Sequence, residues 1–236
     1  MALKVVEGGT GSDVLLLLHG LGGTGDVWQD VDAHWQGRWL APDLPGHGAS
    51  DRLGSYTFDT VARELSRFIR PGDRVSILGH SLGGILGLLM GGWHDEVERV
   101  VGLGVKVVWA PEELAKAAAM AERPPALFDS REDAMAWHRK MSGVGDLVDD
   151  RVAEAGVVDD HGRWRLRCDC KAFGLGAPDM RAIIGACRAP IVLARGELDD
   201  MVSDEQLADL VADPVTLPGL GHNAHVEDPG AVYALL

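Results

Sequence analysis

Short apolar runs recur along the chain, and each is closed by a glycine or a proline. Val14–Leu18 stops at His19-Gly20, Arg38–Ala41 at Pro42, Val75–Leu78 at Gly79 and Val100–Leu103 at Gly104. Ile191–Ala194 ends just before Gly196, and Val215–Leu217 precedes Pro218. Continuous runs of this length predict strands buried on both faces, as in a parallel sheet. Leu3–Val6 is expected to add an edge strand. Between the runs the period changes. Phe58, Val61, Leu65, Phe68 and Ile69 predict a helix over Thr57–Ile69, stopped by Pro71-Gly72. Ser81–Met90 is small and apolar all round, which predicts a buried helix. Asp204–Val211 predicts a short amphipathic one, and a final helix is expected to open near His225 and to be short at Leu236. Strands alternating with helices imply right-handed crossovers and an open twisted α/β sheet.

The rhythm breaks between residues 107 and 187. Pro111–Glu122 predicts a helix with proline and acidic residues in its first turn. Ser130 with Asp133 predicts a capped helix start running to about Lys140. Asp159-Asp160-His161-Gly162, between Val157-Val158 and Trp164–Leu166, predicts a hairpin turn. The organisation expected is one α/β core, 1–106 with 188–236, and a mostly helical cap, 107–187, inserted between two sheet strands.

With 236 residues and 46% hydrophobic content the chain can bury one large core. Its net charge of −14 repels nucleic acid and anionic membrane, so neither is an expected partner. Three cysteines, Cys168, Cys170 and Cys187, make no disulfide framework and fit a reducing, cytoplasmic compartment. Met1–Gly9 lacks the pattern of a signal peptide. Val14–Leu18 and Ile85–Met90 are far shorter than the roughly 20 residues a bilayer span needs.

Gly79-His80-Ser81-Leu82-Gly83 carries the chemistry. It follows a predicted strand and opens a predicted helix, the context of a nucleophile elbow. The flanking glycines permit a sharp bend, and the helix N-terminus behind Ser81 favours developing negative charge. With His19-Gly20-Leu21-Gly22-Gly23, Asp43-Leu44-Pro45-Gly46-His47-Gly48, Gly196-Glu197-Leu198-Asp199 and Gly221-His222, this motif makes the chain resemble the α/β-hydrolase superfamily. The likeness is to its small esterases, lactonases, cofactor-free haloperoxidases and carbon–carbon bond hydrolases. It covers nearly the whole chain and speaks to fold and machinery more than to substrate.

The resemblance implies Ser81 as nucleophile, His222 as base and Asp199 as the acid that orients it. His222 is favoured over His225 because it directly follows a glycine after the last strand. Asp199 is favoured over Asp200 by spacing; relatives often carry proline where Asp200 stands. The alternative acid site after the preceding strand reads Gly104-Val105-Lys106 and holds no carboxylate. Lys106 is expected to be solvated or ion-paired. Backbone N–H groups of Leu21 and Leu82 are the expected oxyanion donors. His19 and His80 are assigned structural roles, and the 43–48 turn likewise. Trp28, Trp109, Trp137 and His138 are candidate substrate-binding residues, with Met120, Met135 and Met141 also in the cap; helix packing explains each as well. Cys168-x-Cys170 lacks a second pair at zinc spacing, so no metal is expected, nor any organic cofactor.

The reaction expected is cleavage of a small carboxylic ester or lactone. Other readings remain: a carbon–carbon bond hydrolase or a lyase of the menaquinone-synthesis kind using the same triad, or a ligand-binding receptor with slow turnover. Haloalkane dehalogenases and epoxide hydrolases need aspartate where Ser81 stands. The expected partner is a small molecule, and the expected state a monomer or homodimer.

Overall fold

The computed structural model describes residues 1–236. In chain order the elements are β1 (Val5–Gly8), β2 (Asp13–Leu18), α1 (Val31–His34), β3 (Arg38–Pro42), α2 (Phe58–Leu65), β4 (Arg74–His80), α3 (Leu82–Trp93) and β5 (Val97–Leu103). Then come α4 (Pro111–Ala121), α5 (Arg131–Met141), α6 (Asp150–Ala155), β6 (Val157–Asp160), β7 (Arg163–Leu166) and α7 (Met180–Ala186). The chain closes with β8 (Ile191–Gly196), α8 (Asp204–Ala208), β9 (Val215–Leu217), α9 (Ala224–Glu227) and α10 (Pro229–Tyr233).

Seven strands form one sheet in the order β1-β3-β2-β4-β5-β8-β9. Only β1 runs antiparallel, paired with β3 at the edge from Val5 opposite Pro42 to Gly8 opposite Trp39. The remaining pairs are parallel. The apolar runs are explained by burial on both faces: Val14, Leu16 and Leu18 join one core cluster, Leu15 and Leu17 the other. All five leucine and valine side chains are fully buried, so a polar residue anywhere in β2 would have no solvent to face.

The crossover from β3 passes β2 to reach β4, so sheet growth reverses between β2 and β4. Their register sets Leu18 opposite Gly79. The loop after β2 and the bend after β4 therefore emerge side by side at the carboxyl ends of the strands, where ligands bind in open α/β sheets. Helix α3 starts there and lies close against the sheet. A Cβ placed at Gly83 would stand 2.1 Å from the Leu18 carbonyl oxygen, and one at Gly84 2.4 Å from Val105 Cγ2. The run of glycines in this helix is the condition for its close approach.

Several predicted boundaries move. The helix expected over Thr57–Ile69 ends at Leu65 and tightens into a 3₁₀ turn, Ser66–Phe68; Thr57 and Thr60 cap its start reciprocally. The helix expected to reach Val211 stops at Ala208. In the hairpin Asp159 and Asp160 belong to β6, and the two-residue turn is His161-Gly162, at φ 57° and 84°. Two consecutive left-handed residues match the twist of the flanking strands.

Residues 107–187 lie between β5 and β8 and contain four helices and the hairpin. They carry a small apolar cluster of their own: Ala134, Met135, Ala153 and Val157. Backbone and side-chain bonds fasten them to the rest: Asp169 N–H donates to Gly46 O at 2.7 Å, Tyr56 Oη–H to Asp169 Oδ2 at 2.9 Å, and Asn223 Nδ2–H to Gly143 O at 2.9 Å. No helix of the chain is long and apolar enough to cross a membrane.

The close approach of α3 gives a direct test of stability. Gly83→Ala should destabilise by about 1–3 kcal/mol, the range for overpacking, and lower Tm by about 3–10 °C for a chain of this size. Gly54→Ala, whose added methyl would meet nothing within 4 Å, should leave Tm within about 1 °C of wild type. Thermal melts of the two variants check this.

Candidate active site

Ser81 sits at the sharpest bend of the backbone. Its φ of 51° and ψ of −115° lie outside the regions open to ordinary residues. The bend is over-determined by its neighbours: Ser81 N–H donates to Leu103 O at 2.8 Å. A Cβ at Gly79 would meet the Gly83 carbonyl carbon and oxygen, both at 2.3 Å. Strain of this kind costs about 1–3 kcal/mol and persists where the surroundings hold it. It sets the half-buried Ser81 side chain on a cavity of about 350 Å³.

His222 lines the same cavity. Its Nδ1–H donates to Asp199 Oδ2 at 2.9 Å, since an ionised carboxylate can only accept, and Nε2 is thereby left as the basic nitrogen. The Asp199 carboxylate is fully buried, and its Oδ1 accepts the Met201 N–H at 2.8 Å. Gly104 passes beneath this pair at φ 58°. A side chain there would press on His222 Nδ1 at 3.1 Å and Asp199 Oδ2 at 3.2 Å. No hydrogen bond joins the Ser81 hydroxyl to the imidazole; in catalytic sites such bonds tighten in the complex with substrate. Asp200 is exposed and makes no contact of this kind.

The Leu21 and Leu82 backbone N–H groups donate to no protein acceptor, and both residues line the cavity with Ser81. Leu82 begins α3, so its free N–H is one of the unpaired donors every helix start presents. The loop carrying Leu21 is held by His19, whose Nδ1–H donates to Gly20 O at 2.7 Å while Nε2 accepts the Leu44 N–H at 2.9 Å.

Behind His222 three rings follow in series, each tilted on the next. His80 lies 4.7 Å from His222 between ring centroids, His225 4.2 Å from His80, and Trp28 4.9 Å from His225. His80 Nε2–H donates to the His222 carbonyl at 3.0 Å, fixing the backbone of the loop that carries His222. His225 is buried beside Trp28 and does not line the cavity. Trp28 packs into the core on that side of the sheet.

The other candidate pocket residues separate. Trp109 lines the cavity; Trp28, Trp137 and His138 do not. Trp137 and Met120 line a neighbouring hollow, Met141 lines both, and Met135 is in the small cap cluster. His138 is buried against Gly156. Lys106 also lines the cavity, paired with Glu113 at 2.6 Å. Phe58, Leu114, Phe173, Leu175 and Met201 complete much of the apolar wall. None carried a readable signal, because each sits in a helix or loop whose amphipathic pattern packing alone explains.

Arg195 is a further residue that sequence reasoning passed over. It is buried at the end of β8, donates to the Asp199 and Glu197 carbonyls at 2.8 and 2.9 Å, and pairs with Asp204 at 2.9 Å. It clamps the loop bearing Asp199. Its signal was a charge inside an apolar strand, which must find partners when buried. Cys168 is buried and Cys170 half-buried, both as free thiols, and burial raises the pKa of each.

Residues 15–235 match the Alpha/beta hydrolase family, and the chain belongs to it. Among its relatives are 2-succinyl-6-hydroxy-2,4-cyclohexadiene-1-carboxylate synthases. That of Enterobacter sp. (strain 638) is 28% identical over 99% of this chain and 93% of its own length. That of Escherichia coli (strain K12) is 29% identical over 98% and 94%. Among solved structures, the thioesterase domain from the curacin biosynthetic pathway superposes with a TM-score of 0.81 at 21% identity, covering 99% of this chain and 94% of that one. The N-acyl homoserine lactonase AidH gives 0.75 at 19%, covering 99% and 90%. These share the fold.

The buried histidines make stability acid-sensitive. Burial, the largest influence on each, holds His19 and His138 down to about 4, His47 and His225 to about 3, and His80 well below the ordinary value of 6.5. Below pH 6.5 the unfolded chain takes up protons that the folded chain refuses, so stability falls as pH drops toward 4. Tm should be flat above about pH 7 and fall steeply between pH 6 and 4. His225→Phe, which keeps a ring against Trp28 and removes one titrating group, should make that fall shallower in calorimetry.

Proposed function

We propose that the chain is a serine hydrolase that cleaves a small carboxylic ester or lactone through an acyl-enzyme on Ser81. Residues 107–187 serve as its cap. The observation that carries this reading is the 2.9 Å Asp199–His222 bond facing the cavity that holds the strained Ser81 bend. His222 Nε2 takes the Ser81 proton as Oγ attacks the substrate carbonyl. The Leu21 and Leu82 N–H groups hold the oxyanion. The tetrahedral intermediate collapses, the alcohol leaves with the proton from His222, and water deprotonated by His222 releases the acid. Asp199 keeps the imidazole in the productive tautomer and stabilises its cation. A small molecule is the partner this asks for.

The full-length relatives favour a second reading, the synthase reaction on a related substrate. The product in their name carries a succinyl group and a second carboxylate. Lys106 is the one lysine or arginine lining this cavity, and Glu113 already neutralises it. An apolar wall with a neutralised cation suits an uncharged acyl group better than a dianion.

Wild type should turn over p-nitrophenyl acetate in the steady state, and Ser81→Ala and His222→Ala should each lower kcat by about a thousandfold or more. His225→Ala should lower Tm while retaining most of kcat. Loss of activity in His225→Ala with retention in His222→Ala would reverse the assignment of the base. Turnover of a dicarboxylate by elimination, with no ester, lactone or thioester cleaved, would favour the synthase. Glu113→Gln, which frees the Lys106 charge, should lower KM about fivefold for esters bearing a distal carboxylate and leave neutral esters within about twofold.

A further inference from the structure

Beside the cavity at Ser81 lies a second hollow of about 150 Å³. The two are not separated by backbone elements alone. Met141, the last residue of α5, and Phe173, in the 3₁₀ turn Cys170–Leu175, line both. Both are only half-buried. Methionine is unbranched, turns about three bonds and repacks at little cost, so the partition is one that can open.

The second hollow is built for an apolar occupant. Met120, Pro125, Ala126, Trp137 and Leu166 line it. Cys168, also on its wall, is a buried thiol whose pKa burial raises, so it behaves there as a small uncharged hydrophobe. Arg123 is the one charged residue on the wall. Trp137 remains 37% exposed, an unusual surplus of aromatic surface beside an apolar hollow. Apolar walls of this kind favour a hydrocarbon occupant over water.

We infer that the two hollows form one acyl-binding channel: a linear aliphatic acyl group with its carbonyl at Ser81 passes Met141 and Phe173 and ends against Trp137 and Ala126. The substrate class is then an ester or lactone of a medium-chain acid, and Ala126, Trp137, Met141 and Phe173 set the chain length accepted. The inference rests on the acyl-transfer reading above and adds the identity of the acyl group to it. The loop Glu122–Leu127 between α4 and α5, with Pro124-Pro125, forms the far wall and limits the length.

The test is a series of p-nitrophenyl esters from acetate to hexadecanoate. In wild type, kcat/KM should rise by about fourfold for each methylene buried, beyond the butanoyl ester, before falling. Ala126→Phe, which fills the far hollow, should lower the ratio of decanoyl to butanoyl kcat/KM at least tenfold. Trp137→Ala, at a half-exposed helix position, should move the optimum to longer chains and covers the case in which Ala126→Phe does not fold. An optimum at acetyl or butanoyl in wild type, or an unchanged chain-length profile in both variants, would overturn the channel. Calorimetric titration of Ser81→Ala with decanoate and butanoate reads the hollow without turnover. Tighter decanoate binding that Ala126→Phe or Trp137→Ala alters supports the channel even where ester hydrolysis fails, and equal affinities contradict it. Failure of all ester cleavage by wild type would instead remove the acyl-transfer reading.

Discussion

The left-handed bend at Ser81 exists because three backbone segments meet without side chains between them. β2 ends at Leu18, β4 at His80, and α3 begins at Leu82 almost in contact with both. Gly79, Gly83 and Gly84 stand where any Cβ would strike backbone or Val105. The same closeness that lifts the serine above the sheet also leaves the Leu82 N–H at a helix start and brings it beside the Leu21 loop. The strained bend, the free donors and the Ser81 hydroxyl are one structural event. Elsewhere the molecule serves to hold it: Leu103 accepts the Ser81 N–H, His19 braces the Leu21 loop, and His80 grips the His222 carbonyl.

Asp199 and His222 arrive from the far half of the chain, and holding them together requires its own precision. Arg195 braces the loop of Asp199 through the Glu197 and Asp199 carbonyls and ties it to Asp204 at the start of α8, and Gly104 yields the space beneath the Asp199–His222 pair. His80 and His225, packed behind His222, are held neutral by burial. A neutral pair packs against His222 without adding a permanent positive charge that would oppose formation of the imidazolium. The same burial makes the protein sensitive to acid, so packing beside the base and acid stability are linked through common side chains.

Much of this was legible from the chain because its causes are local. An apolar run as short as Val14–Leu18, closed by glycine, points to a doubly buried strand, and the Gly79–Gly83 spacing in its strand-to-helix setting points to a bend. Boundaries were less legible: α2 and α8 end early, and Asp159 and Asp160 pair in a strand because His161-Gly162 make the turn alone. The pocket was least legible. Of Trp28, Trp109, Trp137 and His138 only Trp109 lines the cavity at Ser81, while Phe58, Phe173 and Met201 do so unannounced. Whether an amphipathic helix turns an aromatic toward substrate or toward its neighbour depends on tertiary docking. Arg195 could have been found, since a charge within a buried strand has to be paired.

Activation of Ser81 by His222, on the strained bend between β4 and α3, is what the proposed function depends on. Reaction with a fluorophosphonate, read by intact mass and peptide mapping, tests it most directly. One adduct per chain, located on Ser81, formed by wild type and greatly slowed when His222 is replaced by alanine, is the result expected. An unmodified Ser81 in folded protein, or an adduct on another residue, would contradict it.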